Sequence, residues 1–308
     1  METNAFEMKV KPIYESQGVD EDIERIAREL APVIMKENDE LRERHDPNDA
    51  LDQVLMFRSH ELDMKLYDDN GNHIPYKVKV STGYFPEWGK NYGMAQRVYD
   101  ENNKDKYEFE ITINMTVIYD MLSKGRILLE EVLAHELMHT KTHIREDFTR
   151  HDPRKPRLTA AVKSYNPGEK EGDDDYDPFL FNKYFLSGSE MASYVTGEYS
   201  YAKENTIRNI AAGNQVDKEW FTSLFKSSSA YKHICRVRKY IDTMVERDSQ
   251  EIEDFIAFVG KDYLKKVLGV STPADFERLF RKRLDDVTKK IVKAAYKGYV
   301  DGLKEKQQ

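Results

Sequence analysis

The chain has one cysteine, Cys235, in 308 residues. No disulfide can close within it, so a reducing compartment is the expected home. Nowhere do about 18 apolar residues run together, which leaves no membrane-spanning helix in view. The opening METNAFEMKVKPIYESQ is charged throughout and lacks the apolar core of a secretory signal. Negative charge exceeds positive, with 56 Asp and Glu against 48 Lys and Arg. A formal net charge of −8 argues against a dedicated nucleic-acid binder, which needs a concentrated basic face. Internal repeats and low-complexity tracts are missing too. These absences predict a soluble cytoplasmic protein with neither nucleic acid nor membrane as partner.

What is present is material for a core. Hydrophobic residues make up 39% and charged residues 34%, with 19 tyrosines and 14 phenylalanines. That is enough for one large or two modest domains with a polar surface.

The organising stretch is EVLAHELMHTKTH, residues 131–143, in which His135, Glu136 and His139 spell H-E-x-x-H. A helix turns roughly 100° per residue, so four steps return His139 to the face of His135 one turn on. Two imidazoles leaving one face can share a metal ion, with Glu136 beside them placed as a proton acceptor. Ile127, Leu128, Val132, Leu133, Leu137 and Met138 supply the apolar frame of a helix, with no proline. Polar groups on such a half-buried helix are costly unless partnered, and a metal is a sufficient partner. The alternative is a solvated surface helix. His60-Glu61-Leu62-Asp63-Met64 begins the same way but lacks the second histidine, and reads as the start of a strand.

Around this stretch the pattern predicts an α+β fold. Residues 18–44 carry Ile23, Ile26, Ala27, Leu30, Val33, Ile34 and Leu41 at helical spacing, with Pro32 marking a kink or a break. From about 54 the period changes to two. Residues 62–67 and 75–81 predict a hairpin, 94–99 an edge strand, and 106–117 a strand in which Tyr107, Phe109, Ile111, Ile113 and Met115 share a face. This meander, an antiparallel or mixed sheet, leads into the H-E-x-x-H helix. Residues 141–178 hold prolines and an acidic, breaker-rich run, which predicts a long loop near the site. A helix is expected over 187–205. Further helices follow at 216–226, 230–247, 248–268 and 272–303, the last with a lysine-rich solvated side. The expected division is 1–205 for the sheet-bearing domain and 206–308 for an all-α part.

Two histidines leave a catalytic zinc site incomplete, since three protein ligands are usual. A metzincin would continue H-x-x-G-x-x-H, but Thr142 and Arg145 occupy those positions. His143 is one turn further along the same helix, where a third ligand cannot surround an ion well, and His151 falls in the variable loop. A carboxylate on the following helix remains. Glu190, at its start, is the first candidate and Glu198 the competitor. Ser187-Gly188-Ser189-Glu190 also fits a capping box, in which Glu190 would only fold back on its own helix.

HELMH followed at a distance by Tyr184-Phe185-Leu186-Ser187-Gly188-Ser189-Glu190-Met191-Ala192-Ser193-Tyr194 resembles the gluzincin arrangement. More closely, it is similar to the HExxH peptidase-like proteins of tailed bacteriophages. The resemblance spans about 107–200 and rests on short motifs. It implies a zincin-like domain binding one Zn2+ through His135, His139 and Glu190, with Glu136 as general base and a protein or peptide as substrate. One departure stands out. Many gluzincins carry an acidic residue shortly after the ligand glutamate, and here Tyr194 stands four residues on. Tyr184, Tyr194, Tyr199 and Arg145 are candidate donors to the reaction's oxyanion. The rival reading is a virion or interaction protein of the same fold whose metal is structural or vestigial. A fourth protein ligand would favour that rival.

Overall fold

The computed structural model describes residues 20–44, 58–67, 73–85, 92–98, 107–123, 128–149 and 188–305. They form a mixed α+β structure of one small sheet and many helices.

Helix α1 (Glu21–Arg44) starts at Asp20, whose Oδ1 accepts the Ile23 N–H at 3.2 Å. Its buried stripe is Ile23, Ala27, Leu30, Ala31 and Ile34. Pro32 neither breaks nor divides it. The proline is exposed, so the carbonyl that loses its helical partner can be met by water.

Strands β1 (Arg58–Tyr67), β2 (His73–Gly83), β3 (Gly93–Val98) and β4 (Tyr107–Asn114) form one sheet in the order β1-β2-β4-β3. The predicted hairpin is β1–β2, and His60 lies within β1. The sheet is mixed rather than a meander, because β4 inserts beside β2 in parallel and pushes β3 to the edge. Thus β3 is an edge strand and β4 is interior. One face carries Met64, Tyr76, Val78, Val80, Phe109, Ile111 and Ile113 into the core. The other alternates charge across the strands: Glu61 opposite Lys79 opposite Glu110, and Asp63 opposite Lys77 opposite Glu108. That is how a sheet keeps one side in water.

The strand predicted to run to 117 stops at Asn114. The Asn114 side chain accepts the Thr116 N–H at 3.2 Å and donates to the Phe85 carbonyl at 2.9 Å. It therefore caps a short helix, α2 (Met115–Ser123), whose apolar residues complete the layer over the sheet. Helix α3 (Leu129–Thr149) then crosses the middle of the structure. It runs six residues past the predicted 143, so 141–149 is helix and not loop. Lys141 explains part of this: its ammonium reaches both Asp20 oxygens, at 2.9 and 2.7 Å, and ties α3 to the start of α1. The rest of the expected loop, 150–178, lies outside the described residues.

Helix α4 (Gly188–Ala211) packs beside α3 and lends Ala192 to the sheet-side core. Its Val195 and Tyr199 join a second apolar cluster with α6 (Ser229–Val259), α7 (Lys261–Leu268) and α8 (Pro273–Glu305). Helix α5 (Lys218–Ser227), capped by Asp217, covers a smaller group around Phe221 and Tyr299. The expected junction at 247–248 is a kink inside α6, where Asp248 leaves helical geometry with φ −120° and ψ 20°. Helix α8 lies against α4 through Gly298 and Gly302. A Cβ on Gly298 would fall 2.3 Å from the Tyr199 carbonyl oxygen. No helix among the described residues is long and apolar enough to cross a membrane.

Candidate metal centre

Helix α3 is enclosed to an unusual degree. Between Leu129 and Ile144 only His135 and His143 keep partial exposure. Such a helix reads apolar on every side except where its polar residues find partners. His135 and His139 leave one face, as their spacing predicts, with their Nε2 atoms 3.2 Å apart. The first turn of α4 brings Glu190 to them. Its Oε1 lies 3.1 Å from Nε2 of His139 and its Oε2 lies 3.6 Å from Nε2 of His135.

These separations suit a shared ion. Four donors about 2.0–2.1 Å from zinc in tetrahedral array stand roughly 3.3 Å from one another. Two imidazole nitrogens and a carboxylate are also the borderline donor set that zinc accepts. Among the described residues, His135, His139 and Glu190 are the one group of this kind able to hold a metal ion, with their ligand atoms within 4.8 Å of one another. Glu190 is 3% exposed. Burial pushes its carboxyl up, but hydrogen bonds and charge from His135 and His139 outweigh that and hold it far below the ordinary range. It is therefore an anion ready to ligate.

Glu136 is buried beside the pair. Burial raises its carboxyl, the two histidines oppose that, and Glu190 adds to it. Its carboxylate takes the backbone N–H of Ala95 on β3. Tyr92, at the start of that strand, accepts from Asn114 through its carbonyl at 2.8 Å. Alternation then turns the polar groups of Gly93, Ala95 and Arg97 away from β4. Gly93 permits the approach: a Cβ there would meet Glu136 Cγ at 3.2 Å and the Thr112 carbonyl oxygen at 3.2 Å.

The remaining candidates fall elsewhere. Glu198 is buried at 2% exposure but does not join the histidines; it faces Glu131 two turns from Glu190 along α4. His143 packs its ring 6.1 Å from Phe109 and outside the ligand group. Tyr199 is not at the site, because its hydroxyl donates to Asp301 on α8 at 3.1 Å. Tyr194 is, with its ring edge-on to His135 at 4.8 Å. His151, Tyr184 and the Arg145 side chain lie outside the described residues.

One neighbour was not anticipated. His233, from α6, sets its ring 5.4 Å from Tyr194. Burial, then Arg236 and His135, lower its pKa to about 4 against the pull of Glu190, so it is neutral at ordinary pH. Nothing in the sequence separates it from a histidine on the flank of an apolar helix. Only the fold carries it there.

Together these features define a mixed α+β protein with a His, His, Glu cluster suited to one metal ion. Comparisons with protein-family models, with curated proteins and with solved structures find no match.

Proposed function

We propose that this protein is a zinc-dependent peptidase with a zincin-like domain, related to the gluzincins and to the HExxH peptidase-like proteins of tailed bacteriophages. The observation that carries the reading is the convergence of His135, His139 and Glu190 with Glu136 buried beside them. Zinc held there would supply Lewis acidity, lowering the pKa of water to about 7 and polarising a carbonyl.

The chain's own groups account for the rest. Glu136 takes a proton from the attacking water and returns it to the leaving amine. Its bond to the Ala95 N–H fixes its position against β3. A peptide in extended form can pair with the outward backbone groups of Gly93 and Arg97 and with the Ala95 carbonyl, which holds the scissile bond near Glu136. Tyr194, edge-on to His135 and packed against neutral His233, is the described side chain best situated to donate to developing negative charge. A purely structural metal would call for a fourth protein ligand. Among the described residues the group has three.

Elemental analysis of purified protein should find one zinc per chain. Glu136→Gln should keep that zinc and lower the cleavage of unstructured protein substrates by about 10²–10⁴-fold. Equal turnover in the variant and the parent would end the reading.

A further inference from the structure

Two carboxylates buried on the far side of the α3–α4 contact have no role in the centre just described. Glu131 lies one turn before His135 on α3 and is 6% exposed; Glu198 on α4 is 2% exposed. The helices meet closely here, since a Cβ on Gly197 would touch the Glu131 carbonyl oxygen at 3.2 Å, His135 Cβ at 3.6 Å and Glu131 Cγ at 3.7 Å. The start of α6 closes the corner with consecutive serines. Ser229 donates to Glu131 Oε1 at 2.7 Å. The Ser228 hydroxyl approaches Glu198, but short of hydrogen-bond geometry, while its oxygen caps α6 by accepting the Tyr231 N–H at 3.2 Å.

Glu131 Oε2 and both oxygens of Glu198 have no hydrogen-bond partner. Neither carboxylate has an ion pair among the described residues. The nearest cation is Lys232 of α6, which is exposed and donates to the Ser227 carbonyl at 2.5 Å. From α4, the Tyr201 hydroxyl meets Ser227 Oγ at 3.3 Å, and burial, with both glutamates contributing, pushes it up to about 12. It is therefore neutral. His135 is the next titratable group along α3.

Two facing carboxylates with oxygens that lack donors cannot both stay charged in such a place. One proton between them supplies the missing donor and removes the repulsion. We infer that Glu131 and Glu198 form a proton-sharing carboxyl pair that holds α3 against α4 and α6, so that pH acts on the packing of the two helices that carry His135 and Glu190. The pair stands whatever the centre does; its effect on the centre rests on the function proposed above. Burial pushes Glu131 up to about 7 and Glu198 well above the ordinary range. The folded chain thus keeps protons that the unfolded chain has released. The stabilisation is complete below the ordinary carboxylate range and is lost as pH rises through about 7.

The test uses the full chain stripped of metal, so that its outcome does not depend on any bound ion. Stability to urea is measured from pH 5 to 9 in the parent, Glu198→Gln and Glu131→Gln. The parent should weaken as pH passes about 7. Glu131→Gln, which keeps shape and a donor but cannot ionise, should flatten that decline, and Glu198→Gln, which gives Glu131 a permanent donor and no neighbouring charge, should move it to lower pH. Glu204 also titrates near 7, from burial, but contributes equally to parent and variants. The infrared difference between the parent and Glu131→Gln at pH 6 should show a protonated carboxylic acid, with Glu204 cancelling between the two. The same pH slope in all three proteins, or no acid band in that difference, would overturn the proposal. If the slope behaves as expected while zinc is never bound, the pair survives and the peptidase reading falls.

Discussion

Gly298→Ala tests the contact on which α4, and so Glu190, is seated. The added Cβ would lie 2.3 Å from the Tyr199 carbonyl oxygen, 3.1 Å from its carbon and 3.2 Å from the Lys203 nitrogen. All three atoms belong to the backbone, so no rotamer change relieves the clash. The 2.3 Å contact must open past the 3.0 Å below which real Cβ contacts essentially never fall. That moves α8 from α4 by a good fraction of an ångström. A radial gap of 0.5–1 Å forfeits about a quarter to a half of the dispersion attraction at the interface. Overpacking of this kind costs about 1–3 kcal/mol, with the rigid partner placing it at the upper end. Alanine returns about 1 kcal/mol through its better helix propensity. The net loss is about 2 kcal/mol, or about 3 °C in Tm for a chain of this size. Thermal unfolding followed by circular dichroism measures it. A Gly298→Ala protein as stable as the parent would refute the backbone-on-backbone contact and the seating of α4 derived from it.

Gly93→Ala should act on chemistry more than on stability. Its Cβ meets Glu136 Cγ at 3.2 Å and Ile113 Cδ1 at 3.1 Å, so the base must shift while the ligands stay in place. Turnover should fall by about 10–100-fold at full zinc content, read by steady-state kinetics beside elemental analysis. Glu190→Ala should keep the fold and lose the ion. Dialysis against a weak chelator should strip the variant at least about tenfold faster than the parent, and unchanged retention would move the third ligand elsewhere.

Much of this was legible in the residues, and the reasons differ. His135 and His139 are related by helix geometry alone, so spacing sufficed. Glu190 followed from the need for a third donor on the next helix, although Glu198 met the same requirement. What separates the two is register: the crossing of α3 with α4 brings Glu190 to the histidines and Glu198 to Glu131, and no sequence period encodes that. The break after Asn114 was hidden because Met115 and Val117 continue the strand's alternation, while the cap depends on Phe85 from a distant segment. The parallel pairing of β2 with β4 was hidden for a similar reason, since alternation gives the buried face of a strand and not its neighbours. His233 illustrates the limit. Its relation to Tyr194 is set wholly by how α6 folds back.

Enclosure of α3 has a mechanical consequence. The helix is braced by α1, α4 and the sheet, so the histidines sit on an element held from three sides. Strand β3 pairs with a single partner, β4, among the described strands. On the rim beside the histidines, β3 thus has one ladder of hydrogen bonds to hold it, where α3 has packing on three sides. Anchorage at the ion and exposure at the rim meet where Glu136 packs against Gly93 and Ala95.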